Sequence, residues 1–228
     1  AVPTGVALEY GSVSGVGDSW TTVTLNSSYT SMVVVATPVL PNSNAASVVT
    51  RIRNASGSSF ELKIQGAGTS VSGSYDVEYL VVEEGHYSSA SDGITMEAVK
   101  ISSTLTARKS AWGYESRSYL NAYVNPVVLG QVMTYNDADW SVFWASESGN
   151  RTNPPSALSF ACGKHVAEDS DVTRAGETIG YIVVESGSGQ LNGFYYEAAV
   201  GSDIARGPDN TSSGYDLSMG ITAQNAVV

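Results

Sequence analysis

Apolar and polar residues alternate in short runs along most of the chain. The alternation has a period of two in residues 20–25 and again in residues 60–64, whereas residues 32–36 form a continuous apolar run. A period of two is typical of β-strands, which present alternate side chains on opposite faces. No segment keeps a 3.6-residue period over three turns. The pattern therefore predicts an all-β protein built from antiparallel β-sandwich units.

The chain also repeats itself. Residues 33–35 correspond to residues 127–129, an offset of 127 − 33 = 94, and residues 79–85 correspond to residues 181–187, an offset of 181 − 79 = 102. The second copy is therefore longer by 102 − 94 = 8 residues. We place the surplus around Pro154 and Pro155, because consecutive prolines are excluded from a central strand. The repeat predicts two tandem β-sandwich units, at residues 1–92 and 93–192.

A third copy begins after the second. Residues 193–198 correspond to residues 93–98, and residues 225–228 correspond to residues 125–128, both at an offset of 100. We therefore predict a partial third unit at residues 193–228, ending in the equivalent of the apolar strand that opens each core. Its predicted assembly strand consists of Ala223, Gln224, Asn225, Ala226, Val227 and Val228.

A lone apolar strand leaves its backbone groups unpaired and needs a sheet to join. Three outcomes are open for this partial unit. It packs back on the second unit, it opens a third domain that has been cut short, or it pairs with the sheet edge of a neighbouring chain.

The order of motifs in the first unit resembles a known family. The residues that carry it are Trp20, Val23, Leu25, Val33 to Val35, Val48, Arg51, Asn54, Phe60, Ile64 and Tyr79 to Gly85. This order resembles the H-type-lectin-like β-sandwich repeats found in tandem in secreted bacterial proteins. The resemblance implies one compact antiparallel sandwich per unit. H-type lectins bind sugars and associate through sheet edges, but their sugar-contacting residues have no secure match here and none is transferred.

The charge and the composition of the chain limit the classes of partner that it can bind. The 228 residues contain 11 Lys and Arg against 22 Asp and Glu, a net charge of −11, with only 14% charged residues. Nucleic-acid backbones require clustered cations, and anionic lipid repels such a chain, so neither is an expected partner. No apolar run approaches the roughly 20 residues of a membrane-spanning helix, so no membrane insertion is expected. A polar surface rich in Ser, Thr and Gly, on a chain that starts at Ala1 without Met, predicts a matured, secreted bacterial protein.

Catalytic and metal chemistry find little support in the sequence. The single cysteine, Cys162, lies in an apolar strand-like run and is expected to be a buried, inert thiol. The two histidines are not accompanied by a G-x-S-x-G elbow, and we expect no enzyme and no cofactor. Calcium is the alternative for an acidic set of residues, since hard cations prefer carboxylate oxygens. That set is Glu168, Asp169, Asp171 and Glu177, with Asp137 and Asp139.

Aromatic residues are the better functional lead. Trp140 and Trp144 are four residues apart, which predicts a shared strand face, and Tyr135 lies nearby. Such a face can stack on the apolar CH groups of sugar rings, although packing into the core is the competing interpretation. The candidate glycan-binding residues are Tyr135, Asp137, Asp139, Trp140 and Trp144.

Two functions remain open. The first is a non-catalytic structural subunit of an extracellular filament or adhesive surface layer, in which copies of the chain self-assemble by β-strand complementation. The second is a lectin-like module that binds polysaccharide as part of a larger secreted protein.

Overall fold

The computed structural model consists almost entirely of β-strands. It describes residues 5–40, 47–149 and 153–201. These ranges contain fifteen strands and one four-residue helix, α1 (Ser89–Asp92). The prediction of an all-β fold is confirmed. No helix in the same ranges has the length and hydropathy needed to cross a membrane.

The first unit contains five strands arranged in two antiparallel sheets. They are β1 (Leu8–Val16), β2 (Thr21–Tyr29), β3 (Met32–Pro38), β4 (Val48–Gly66) and β5 (Tyr75–Glu83). One sheet has the order β1-β5-β3, and the other pairs β2 with β4. The period-two pattern of β4 buries Phe60, Leu62 and Ile64 completely, and the Phe60 ring meets Tyr79 of β5 at 5.4 Å between centroids. The two sheets therefore pack face to face as a sandwich.

β4 is too long to be a single straight strand, and it folds back on itself. Side-chain hydrogen bonds join Arg51 to Gln65 (2.6 Å) and Arg53 to Glu61 (2.9 Å). An extended chain would separate residues 14 apart by roughly 45 Å, so these contacts require a reversal between them. The reversal lies at residues 54–57, where Asn54 and Gly57 have φ values of 53° and 62°. Glycine and asparagine tolerate this left-handed conformation best.

The second unit also contains two sheets. Its strands are β6 (Gly85–Tyr87), β7 (Met96–Ser103), β8 (Thr106–Ala107), β9 (Glu115–Ser118), β10 (Pro126–Val132), β11 (Val142–Ser146), β12 (Ser159–His165) and β13 (Glu177–Glu185). One sheet has the order β10-β13-β7-β6. In the other, which we call the outer sheet, β12 pairs with β11 and β9 antiparallel and with the two-residue β8 parallel. The β8–β12 pair departs from the purely antiparallel prediction.

The strand order of the first unit recurs in the second, where β7-β13-β10 repeats β1-β5-β3. In each unit a glutamate at the end of β5 or β13 accepts hydrogen bonds from the two backbone N–H groups that directly precede β3 or β10. The pairs are Glu83 with Thr30 and Ser31, and Glu185 with Val124 and Asn125. The offsets are 124 − 30 = 94 and 185 − 83 = 102, the same as those of the sequence repeat. The predicted unit boundaries at residues 92 and 192 stay predictions.

The two units meet through equivalent sheets. Val33 and Val82 of the first unit are fully buried, and Ile182 and Val184 of the second unit belong to the same core cluster. Val184 is the counterpart of Val82 at the offset of 102. A Cβ atom at Gly180 would collide with Met133 and stand 3.1 Å from the Cγ1 atom of Val33. The absence of a side chain at Gly180 therefore allows the sheets to approach closely. The result is a stack of four sheets in which the two central ones are covered on both faces.

β13 shows this double burial directly. Ile182 and Val184 belong to the core shared with the first unit, whereas Tyr181 and Val183 belong to a second core beneath the outer sheet. Phe160 and Cys162 of β12 contribute to the same second core. Successive residues of one strand thus enter different cores, because alternate side chains point to opposite faces.

A hairpin spans the predicted boundary between the second unit and the third. β14 (Gly187–Leu191) pairs with β15 (Phe194–Ala198), and the Gly187–Ala198 pair repeats the Gly85–Ala98 pair of β6 and β7. The hairpin packs against the first unit, where Phe194 meets the Tyr10 ring at 5.1 Å. The predicted assembly strand, Ala223 to Val228, lies outside the described residues.

Candidate functional site

A buried arginine joins the first unit to the loop that carries four of the five candidate glycan-binding residues. Arg51 of β4 is completely buried. Its Nη1 atom donates to the carbonyl oxygen of Asp139 (2.9 Å), and its Nη2 atom donates to the carbonyl oxygen of Asp137 (3.0 Å). Burial lowers the pKa of Arg51, while the Glu177 carboxylate, 3.8 Å away, opposes the shift. The guanidinium group of Arg51 therefore holds the loop that follows β10 against the first unit.

Two carboxylates hold the same loop from within the second unit. Glu177, also buried, accepts hydrogen bonds from the hydroxyl of Thr134 and from the backbone N–H of Asn136 and Asp137. The Asp137 carboxylate accepts from the backbone N–H of Ala175 and Asp139. Burial acts to raise the pKa of Asp137, but these backbone hydrogen bonds, together with the charges of Arg174 and Arg51, lower it. Asp137 is thus ionised and occupied as a structural acceptor.

A second buried cation lies behind this loop. Lys164 of β12 is fully buried and donates from Nζ to the carbonyl oxygens of Ser103 (3.3 Å) and Ala175 (2.9 Å). Burial lowers the pKa of Lys164. Ala175 therefore links this ammonium group to the Asp137 carboxylate through its own peptide groups.

Tyr135 lies in a ladder of aromatic rings and cations at the junction. Its ring meets Trp20 edge-on at 5.1 Å, and Lys63 Nζ stands 4.5 Å from its centroid and 3.2 Å from its hydroxyl oxygen. Arg51 stacks on Tyr135 at 4.6 Å, and Arg53 stacks on Trp20 at 4.1 Å. Cations and rings attract each other in this geometry. Both units contribute, so the ladder reinforces the junction.

The structure separates the two candidate tryptophans. Trp140 precedes β11, and its carbonyl oxygen accepts a hydrogen bond from Nε of Arg174 (3.3 Å). Trp144 lies within β11. The period-two argument therefore does not place Trp140 beside Trp144. The glycan-binding role of Tyr135, Asp137, Asp139, Trp140 and Trp144 stays a prediction.

Trp144 instead belongs to a cluster on the exposed side of the outer sheet. Its ring meets Trp112 at 4.8 Å and Tyr114 at 6.4 Å between centroids, and Trp112 meets the imidazole of His165 at 5.0 Å. We call these four residues the outer aromatic cluster. They come from the segment before β9, from β11 and from the end of β12.

Strand alternation and two glycines create this cluster. Phe143 and Ala145 of β11 pack into the second core, which directs Trp144 to the opposite face. Gly163 is the cross-strand neighbour of Trp144, and a Cβ atom there would stand 3.3 Å from the indole nitrogen. A Cβ atom at Gly149 would collide with the Tyr114 ring. Small residues beneath the rings therefore leave room for them to lie over the sheet.

His165 has a defined tautomer. Its Nδ1 atom accepts a hydrogen bond from the backbone N–H of Ala167 at 2.7 Å. Burial lowers the pKa of His165, so the imidazole is neutral at pH 7 and carries its proton on Nε2. Among the described residues, neither this Nε2 atom nor Nε1 of Trp144 has a hydrogen-bond partner, although both atoms are buried. Two N–H donors without acceptors thus lie in one aromatic cluster.

Four of the six acidic residues considered for calcium are paired with cations, and one of them is Glu177, which lies beside Arg51. Glu168 pairs with Lys109 (2.6 Å), and Asp169 and Asp171 pair with Arg174 (3.1 and 3.8 Å). Within the described ranges, no three His, Cys, Asp or Glu side chains are grouped so that they could hold a metal ion. This loop is held by ion pairs.

Cys162 is buried in the second core, as predicted. Burial raises the pKa of its thiol to about 12. Because the thiolate is the reactive form, this environment disfavours reaction at the sulfur.

No protein-family model matches the chain, and no curated protein or solved structure matches it either.

The sequence analysis did not predict that Trp112 and His165 belong to the outer aromatic cluster. The segment Trp112-Gly113-Tyr114 was the available signal, since two large aromatics flank a glycine in a chain with only four tryptophans. Its proximity to Trp144 depends on the pairing of β9 and β11 with β12, which no local pattern shows.

Proposed function

We propose that this chain is a non-catalytic structural subunit of a secreted, extracellular filament or adhesive surface layer. The observation that carries the proposal is the packing of equivalent sheets, which joins two units through one continuous apolar core. A junction of this kind resists bending, because relative motion of the units would expose buried valines and isoleucines. The Arg51 contacts with the loop after β10 add directional restraint. Stiff, compact modules are what a load-bearing assembly requires.

We propose further that copies of the chain join by β-strand complementation. In the second unit, β7 is paired on both sides, by β6 and by β13. β15 is the counterpart of β7, and among the described residues its partner is β14 alone. In the proposed joint, a strand from a neighbouring copy takes beside β15 the place that β13 takes beside β7. The apolar segment Ala223–Val228 is the predicted contribution of this chain to the same joint.

Electron microscopy of the purified chain tests both proposals. We expect filaments or sheets at high protein concentration, and we expect only monomers after deletion of residues 193–228. A shorter deletion of residues 223–228 separates the role of the assembly strand from that of the hairpin. Polymers that persist after both deletions would refute strand complementation. Monomers of the intact chain at every concentration would refute the structural role.

Carbohydrate binding is a second candidate function, favoured by the outer aromatic cluster. Trp112, Tyr114 and Trp144 lie together on the exposed side of a sheet, in a geometry suited to stacking on sugar rings. A glycan array and a polysaccharide pull-down test this candidate. We expect binding by the wild type and loss of binding by Trp144→Ala. A wild type that binds no glycan would remove this candidate and leave the structural proposal standing.

A further inference from the structure

Two N–H groups of the outer aromatic cluster lack a hydrogen-bond acceptor among the described residues. Trp144 Nε1 and His165 Nε2 are buried and make no hydrogen bond with any residue in the described ranges. Native proteins pair nearly all buried polar groups, since an unmade hydrogen bond leaves the full desolvation penalty in place. A hydroxyl group can rotate towards a new partner, but the N–H of an aromatic ring is fixed by the ring. These donors therefore persist at a cost that a bound acceptor would remove.

The chemistry around these donors restricts the ligand. The cluster consists of two indoles, a phenol and a neutral imidazole, so none of its side chains carries a formal charge at pH 7. The whole chain carries a net charge of −11. Acidic ligands such as uronates or sulfated sugars would meet repulsion and no compensating cation in the cluster. Uncharged oxygen acceptors are favoured by this arrangement.

The shape of the cluster suits a ring with one apolar face. Trp112 touches both Trp144 and His165, and it lies in the segment between β8 and β9 rather than within a strand. Trp112 is also partly exposed. Rotation of its side chain would uncover both donors without disturbing the hydrogen bonds of the sheet. An apolar ring face could then stack on the indole while ring hydroxyls reach the donors.

We infer that the outer aromatic cluster binds an uncharged sugar unit, with Trp112 as the stacking surface and with Trp144 Nε1 and His165 Nε2 as donors to its hydroxyl oxygens. This inference rests on the second candidate function and specifies its site and its ligand class. Neutral polysaccharides are ligands and acidic ones are not.

Affinity electrophoresis of the full chain tests the inference. The gels contain either a neutral polysaccharide (mixed-linkage β-glucan, galactomannan or arabinoxylan) or an acidic one (alginate or a sulfated galactan). The variants are Trp112→Ala, which removes the stacking surface, and Trp144→Phe, which removes one donor and keeps an aromatic ring. Trp20→Phe is the matched control, because Trp20 lies in the junction ladder.

We expect retardation of the wild type by at least one neutral polysaccharide and by neither acidic one. Trp112→Ala and Trp144→Phe should each weaken that binding by about tenfold or more, the loss expected for one good contact, and Trp20→Phe should bind as the wild type does. Thermal unfolding separates binding from folding. Trp144→Phe should unfold close to the wild type, since the lost ring contacts are offset by the removal of a buried donor that has no partner among the described residues.

Three results would overturn the inference. Binding only to acidic polysaccharides would show that the ligand class is wrong. Binding that both cluster variants retain would place the sugar site elsewhere and leave carbohydrate binding itself intact. Binding to none of the five polysaccharides would count against the inference and the second candidate function together.

Discussion

Nη2 of Arg51 lies 3.0 Å from the carbonyl oxygen of Asp137, although the two residues belong to different units and are 86 positions apart in the sequence. Arg51 has no exposed surface, and the Glu177 carboxylate beside it is equally buried. A buried charge of this kind is tolerated only when its partners are in place. The stability of the whole two-unit stack should therefore depend on this one side chain.

Replacement of Arg51 by methionine tests that dependence. We expect Arg51→Met to lower the free energy of unfolding by about 3–5 kcal/mol, because Glu177 would remain buried without its cation and two carbonyl oxygens would lose their donor. Urea denaturation followed by tryptophan fluorescence measures the change. Arg53→Met is the control, because Arg53 forms a partly exposed ion pair with Glu61. This variant should unfold at a urea concentration close to the wild-type midpoint. Equal losses in the two variants would contradict the buried junction.

Contact between equivalent sheets can be tested at Gly180. We expect Gly180→Ala to destabilise the protein by about 1–3 kcal/mol, because the new methyl group would overlap Met133 and crowd Val33 across the interface. Gly17→Ala is the matched control, since the nearest atom to a Cβ at Gly17 is 3.8 Å away. Thermal unfolding compares the two. If Gly180→Ala and Gly17→Ala unfold at the same temperature, the two sheets are not in close contact.

The repeated glutamates predict additive effects. Glu83→Gln and Glu185→Gln should each cost about 1 kcal/mol, because each replaces a carboxylate that accepts two backbone hydrogen bonds by a neutral amide. The sites lie in different sheets and share no partner, so the double variant should lose the sum of the single losses within about 0.5 kcal/mol. Chemical denaturation of the four proteins measures this. A double variant far from the sum would show that the two contacts are coupled.

Alkaline pH should destabilise the fold through Cys162. The pKa of this thiol is 9.0 in its reference state and about 12 when buried, so the folded protein retains a proton that the unfolded chain releases. The contribution is fully present below pH 9 and is lost as the pH rises towards 12, at up to about 1.4 kcal/mol per pH unit.

Cys162→Ala isolates this effect. The variant should be less stable than the wild type at pH 7, because the core loses a buried sulfur. Its stability should nevertheless fall less steeply than that of the wild type between pH 9 and pH 10, because the tyrosines, which begin to ionise in this window, contribute equally to both proteins. Urea denaturation at closely spaced pH values provides both slopes. Parallel slopes would mean that the thiol is not buried as described.

The strands and the repeat could be predicted from the sequence because both are local patterns. The apolar run at residues 32–36 lies in β3, and the repeated segments at residues 79–83 and 181–185 lie in β5 and β13. Alternation also placed Phe60, Leu62 and Ile64 on one face of β4, and all three are buried. The composition of the candidate site could be predicted only in part. Trp144 was singled out, but its partners Trp112 and His165 were not.

The all-β class, the positions of the principal strands and the offsets of the internal repeat can be predicted from the sequence. Each of these follows from interactions between neighbouring residues and from strand periodicity. The structure was needed to show that equivalent sheets face each other and that Arg51 is buried under a loop of the second unit. It was also needed to show that Trp112, Trp144 and His165 meet over the outer sheet. Those contacts join residues far apart in the chain, and the free energy that selects them comes from packing whole faces together. A period of two specifies which face of a strand a side chain occupies, but it does not specify which sheet or loop packs against that face.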